Sequence, residues 1–67
     1  MWRFATIEHG RITKVEVVSE EEISSYFEFM KSLDFMYENV DNEDFYKKYK
    51  STQFDDLYFE FTCMEDD

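Results

Sequence analysis

Residues 19–37 read SEEEISSYFEFMKSLDFMY, and the fold turns on them. Ser19 is a good helix N-cap, and Glu22 three residues later completes a capping box. Glu20, Glu21 and Glu22 fill the first turn, where the helix dipole favours negative charge. Ile23, Tyr26, Phe27, Met30, Leu33 and Tyr37 recur at spacings of three and four and line one face. The pattern predicts one long amphipathic helix from Ser19 to about Glu38. Phe29 and Met36 lie off its stripe, so they touch a second surface or widen the buried arc.

Toward the C-terminus, Asn39 to Asn42 breaks this pattern. Asp41 can cap a second, shorter helix, with Asp44 in the carboxylate position of a capping box. Phe45, Tyr46 and Tyr49 would share one side of it, and Lys47, Lys48 and Lys50 would crowd its last turn, where cations suit the dipole. Ser51 to Asp56 is a connector. Leu57, Phe59, Phe61 and Cys63 then alternate with Tyr58, Glu60 and Thr62, the pattern of a half-buried strand. The acidic end, Met64 to Asp67, is expected to fray.

Toward the N-terminus, Trp2–Ile7 and Ile12–Val18 read as strands joined at His9-Gly10. Gly10 is the single glycine of the chain, and a two-residue turn commonly needs positive φ. Such a loop pairs Glu8 with Arg11, Ile7 with Ile12, Thr6 with Thr13, Phe4 with Val15, Arg3 with Glu16 and Trp2 with Val17. Charges then match in sign and apolar residues meet. The element order is β-β-α-α-β. It predicts a single α+β domain over residues 1–67, with a three-stranded antiparallel sheet packed in two layers on one long and one short helix.

Composition narrows function. Sixty-seven residues make one small domain, which buries only about 60% of its unfolded surface. Eight Phe, five Tyr and one Trp bring more aromatic surface than so thin a core encloses, at roughly 150–250 Å² per ring. Some rings are therefore expected at the surface or under a partner, including a second copy of the chain. The net charge is −10 and is lopsided. Residues 1–18 set Arg3, Arg11 and Lys14 against Glu8 and Glu16, a net of +1, whereas residues 19–67 hold fifteen acids against four lysines, a net of −11. Direct binding to nucleic acid or to an anionic membrane is disfavoured, since phosphate calls for a basic surface. One cysteine, Cys63, allows no internal disulfide and fits a reducing, cytoplasmic setting. MWRFATIEHG has no apolar run of the signal-peptide kind, and no stretch reaches the length of a membrane span.

Chemistry-bearing patterns are sparse. His9 stands alone in a turn. Cys63 alternates inward on the last strand, where a lone thiol acts as a small hydrophobe. A Cys-His pair would need the first and last strands to be neighbours. Asp41-Asn42-Glu43-Asp44 is acidic enough for calcium, but an EF-hand loop needs ligands at alternate positions and glycine at the sixth, and Phe45 and Tyr46 stand at the fifth and sixth positions here. A glycine-rich phosphate loop is excluded. No cofactor, metal or enzymatic activity is expected.

The acidic helical half is what remains. Glu28, Asp34, Glu38, Asp41, Glu43 and Asp44 are the expected partner contacts, with Tyr37 and Tyr46 as aromatic anchors. Carboxylates accept the same bidentate arginine contacts as phosphates. Such a surface fits a basic groove on a nucleic-acid enzyme or its complex, as a mimic of the nucleic acid. In size and charge the chain resembles phage-encoded inhibitors of host enzymes, among them antirestriction and anti-CRISPR proteins. That likeness is one of composition and carries over no residue. The alternative is a small assembly subunit or antitoxin-like protein that associates through exposed aromatic residues, with homodimerisation possible. In that case the charge serves solubility.

Overall fold

A computed structural model describes residues 1–33, 35–38 and 40–64. The elements are β1 (Trp2–Glu8), β2 (Arg11–Val18), α1 (Glu20–Ser32), β3 (Met36–Glu38), β4 (Tyr46–Lys50) and β5 (Leu57–Cys63). They form one five-stranded sheet in the order β2-β1-β5-β4-β3, every neighbouring pair antiparallel. The expected three-stranded sheet on two helices is therefore incorrect. There is one helix among the described residues, and the segment assigned to a second helix is strand β4.

Local signals explain the first half. His9 and Gly10 have φ of 52° and 78°, the type I′ geometry whose twist suits a hairpin. Glu8 pairs with Arg11 and Ile7 with Ile12, as the loop length dictates. The register then slips at a bulge between Thr6 and Ile7, and Thr6 pairs with Lys14, Phe4 with Glu16 and Trp2 with Val18. The expected pairs Thr6–Thr13, Phe4–Val15, Arg3–Glu16 and Trp2–Val17 are corrected by one residue. The slip carries Val18 into the core beside Trp2. It also turns Val15 and Val17 to the opposite face of the sheet, because side chains alternate with period two.

Helix α1 starts where its cap predicts. The Glu22 N–H donates to Ser19 Oγ at 3.3 Å, and the Glu22 and Ile23 N–H groups donate to the Ser19 carbonyl. It stops at Ser32, with Leu33 as C-cap, well short of the expected Glu38. Ile23 and Met30 are buried, and Tyr26 and Phe27 pack on the core. Leu33 is exposed, and Tyr37 belongs to β3. Beyond the helix, the Phe35 ring meets Phe59 edge-on at 5.1 Å, which draws the chain onto the sheet.

Residues 41–45 begin a helical turn, in which the Phe45 and Tyr46 N–H groups donate to the Asn42 carbonyl at 2.9 and 3.0 Å. The turn is not continued, because from Tyr46 onward the backbone bonds to β5. Ser51 ends β4, and its buried Oγ accepts from the Gln53 and Phe54 N–H groups. Strand β5 is central, flanked by β1 and β4, and Phe61 on it is completely buried. Phe61 stacks on Phe4 at 4.7 Å and meets Phe27 and Tyr49 edge-on at 5.1 and 5.8 Å. Trp2 meets Phe27 edge-on at 5.5 Å. The helix thus covers one face of β1 and β5, and the core is a lattice of rings. Among the described residues the other face carries no helix. No helix among the described residues is long and apolar enough to cross a membrane.

Candidate functional site

The acidic edge is built on β3 and on the turn that precedes β4. Tyr37 pairs across the strands with Tyr49, their rings 5.3 Å apart. Because Tyr49 belongs to the core under the helix, this pair stands on the helix side. The Tyr37 hydroxyl donates to Glu43 Oε2 at 3.3 Å. Burial and then the Glu43 carboxylate raise the Tyr37 pKa. Burial, then Tyr37 and then Glu28 raise that of Tyr49. Glu28 and Glu43 therefore flank one pair of phenols, held protonated at neutral pH. Lys47 sits between, its Nζ 5.3 Å from the Phe27 ring centre and 5.4 Å from that of Tyr37. The cation rests on the two ring faces.

The expected contacts divide. Glu28, Tyr37 and Glu43 come together, and Asp41 and Asp44 stand exposed in the same turn as Glu43. Glu38 and Tyr46 do not join them. Glu38 pairs with Lys48, and Tyr46 lies on the same outer face, where burial and then its hydrogen bond to Glu60 raise its pKa to about 12. A strand sends alternate side chains to opposite faces, which parts Glu38 and Tyr46 from Tyr37 and Tyr49. Asp34 lies outside the described residues. Two contributors went unlisted by sequence reasoning, Tyr49 and Lys47. Their period-two placement with Tyr37 is visible only once β3 and β4 are known to pair. Glu28 also meets Lys31 at 3.7 Å, an exposed pair that contributes little.

Other chemistry lacks geometry. His9 Nδ1 lies 3.7 Å from Asp56 Oδ2, and both side chains are exposed. Strands β1 and β5 are neighbours, as a Cys-His pair would require, yet their register sets Cys63 beside Trp2 and Leu57 beside Glu8. His9 and Cys63 are thus at opposite ends of the sheet, about 20 Å apart at ~3.3 Å per residue. Among the described residues no three His, Cys, Asp or Glu side chains are grouped so as to hold a metal ion. No protein-family model, curated protein or solved structure matches the chain.

Proposed function

We propose that this protein is a non-enzymatic inhibitor or regulator that docks its acidic edge on the basic, nucleic-acid-binding surface of another protein. The observation that carries the reading is the Tyr37–Tyr49 ring pair with Glu43 hydrogen-bonded to the Tyr37 hydroxyl, and Asp41 and Asp44 exposed in the same turn as Glu43. The carboxylates offer acceptors for guanidinium forks. The rings offer the anchor that charge alone lacks. The net charge of −10 steers such an encounter and disfavours direct nucleic-acid binding. A bacterial nucleic-acid enzyme inhibited by a phage-encoded chain is the setting this chemistry fits best.

The competing reading, assembly through exposed aromatic rings, has a specific weakness. Phe29, Phe45 and Phe54 are each more than half exposed, but they stand on three separate segments, helix α1, the turn before β4 and the loop after it. The test is capture of a partner from bacterial lysate by the tagged chain, beside the variant E28K/D41K/E43K. The expected result is a nucleic-acid enzyme that elutes at moderate salt, is displaced by DNA or RNA, and is lost from the variant with its circular dichroism intact. A partner that the variant retains would overturn the reading.

A further inference from the structure

Strand β2 is the long open edge of the sheet. Among the described residues it pairs only with β1, and the opposite edge, β3, is just three residues long. An open edge is a template for a further strand. The charges on this one have a definite order. Lys14 and Glu16 pair with Thr6 and Phe4 on the helix side and bridge to each other at 3.1 Å. Val15 between them turns to the outer face and is 49% exposed. Read backwards, Lys14-Val15-Glu16 runs acid, valine, base, so the segment is its own antiparallel complement. The helix flank above this edge is uncovered as well. Phe27 lies against Lys47 of β4, and Tyr26 lies against Phe4 of β1. Phe29, three residues after Tyr26, continues the Tyr26 flank toward β2. It is 57% exposed and borders a cavity of about 360 Å³ with Ser25 and Tyr26.

We infer that the chain dimerises edge to edge, β2 antiparallel to β2 of a second copy, about a two-fold axis perpendicular to the sheet at Val15. Charge selects the occupant and the register together. Centring the axis on Lys14 or on Glu16 sets like charges opposite each other, which is destabilising. Thr13 is the bulge residue, and Val17 is next to the end of the strand, so neither centres a long ladder. Centred on Val15, each Lys14 lies opposite Glu16 of the second copy on the helix side, and Val15 meets Val15 on the outer face. The hairpin is also where two chains of −10 repel least, since residues 1–18 carry a net charge of +1. The product is a continuous sheet of two five-stranded halves with both helices on one side. Each helix covers β1 and β5, so the helices stand four strand spacings apart, about 19 Å. Helices are about 10–12 Å across, which leaves a gap of roughly 8 Å. The two Phe29 rings enter that gap from either side, above the Lys14 and Glu16 side chains. The acidic edges, on β3, stay free at the two ends of the joined sheet, about 43 Å apart.

The test is analytical ultracentrifugation of the full chain at rising concentration in moderate salt. The expected mass is twice 8.3 kDa. K14E sets acid against acid across the axis and E16K sets base against base, and each should weaken dimerisation about tenfold. Both side chains are exposed, so circular dichroism and melting cooperativity should be retained. Mixed together, the K14E and E16K chains again place opposite charges face to face in this register, and they should form a heterodimer at least as tight as the wild-type dimer. F29S should weaken dimerisation by about tenfold through the lost ring contact. E28K/D41K/E43K should leave the dimer intact, which keeps this inference separate from the proposed function. A chain that stays monomeric at every concentration overturns the inference. So does a mixture of K14E and E16K that fails to associate, or a dimer that survives K14E, E16K and F29S.

Discussion

The two faces of the sheet are made by the same strands and differ in almost everything else. Under the helix, Trp2, Phe4, Phe59, Phe61 and Tyr49 interlock with Tyr26 and Phe27 through ring contacts of 4.7 to 6.4 Å. On the outer face, lysines and glutamates alternate among valines, and only Ala5 is deeply buried there. Apolar character alone does not distinguish the faces, since Val15 and Val17 are as hydrophobic as Val18. Coverage does. Val18 lies in the cluster under the helix, and the two other valines stand outside it.

The contrast is broken most directly at its centre. Phe61→Ala removes the ring that joins β1, β4 and the helix and should cost about 3–5 kcal/mol, a large share of a small domain's stability. Chemical denaturation measures it. A smaller effect is expected at the hairpin, where Gly10 has φ of 78° with open space around a Cβ. Gly10→Ala should lower stability by about 1 kcal/mol through backbone strain alone, and should shift the melting temperature without changing the cooperativity of unfolding. Ser19→Ala removes the cap that starts the covering helix and should cost ~1 kcal/mol, against almost nothing for Ser24→Ala one turn later.

Alkali sharpens the comparison by acting on both faces. Tyr49 under the helix and Tyr46 on the outer face both hold their protons above the ordinary tyrosine pKa of 10.0, Tyr46 to about 12. The unfolded chain releases these protons first. The stability they support is therefore complete below pH 10 and is lost as the pH rises toward about 12. Tyr46→Phe should flatten that decline in a pH series of denaturant midpoints, at the expense of one hydrogen bond to Glu60, about 1 kcal/mol. The smallest change is expected for Val17→Thr, which in the dilute monomer should stay within about 0.5 kcal/mol.

Where local chemistry was decisive, it was legible. Ser19 and its trailing glutamates start the helix, His9-Gly10 makes the turn, and the alternation from Leu57 to Cys63 makes a strand with Phe59 and Phe61 inward. The antiparallel pairing of the last strand with the hairpin was legible too. The failures cluster between residues 33 and 50. No glycine marks the end of α1, so the run toward Tyr37 continued to look helical. In YKKYK at 46–50, Tyr46 and Tyr49 are three apart and suit one helix face, and no period-two alternation marks the strand. The candidate site inherited that reading. Glu38 and Tyr46 were grouped with Glu43 only as members of one acidic helical half, and the strand period separated them.

What the amino-acid order determined by itself was therefore the set of features that need only near neighbours: caps, turns, amphipathic stripes and the surplus of negative charge. The tertiary structure decided that Met36–Glu38 and Tyr46–Lys50 are strands, how the hairpin register slips, and which valines are covered. The physical reason is that a helix makes its own hydrogen bonds, whereas a strand's partner lies elsewhere in the chain. Strand β5, flanked by β1 on one side, would leave its other edge unpaired. Pairing Tyr46–Lys50 along that edge, and Met36–Glu38 beyond it, satisfies those backbone groups and encloses Tyr49 beneath the helix.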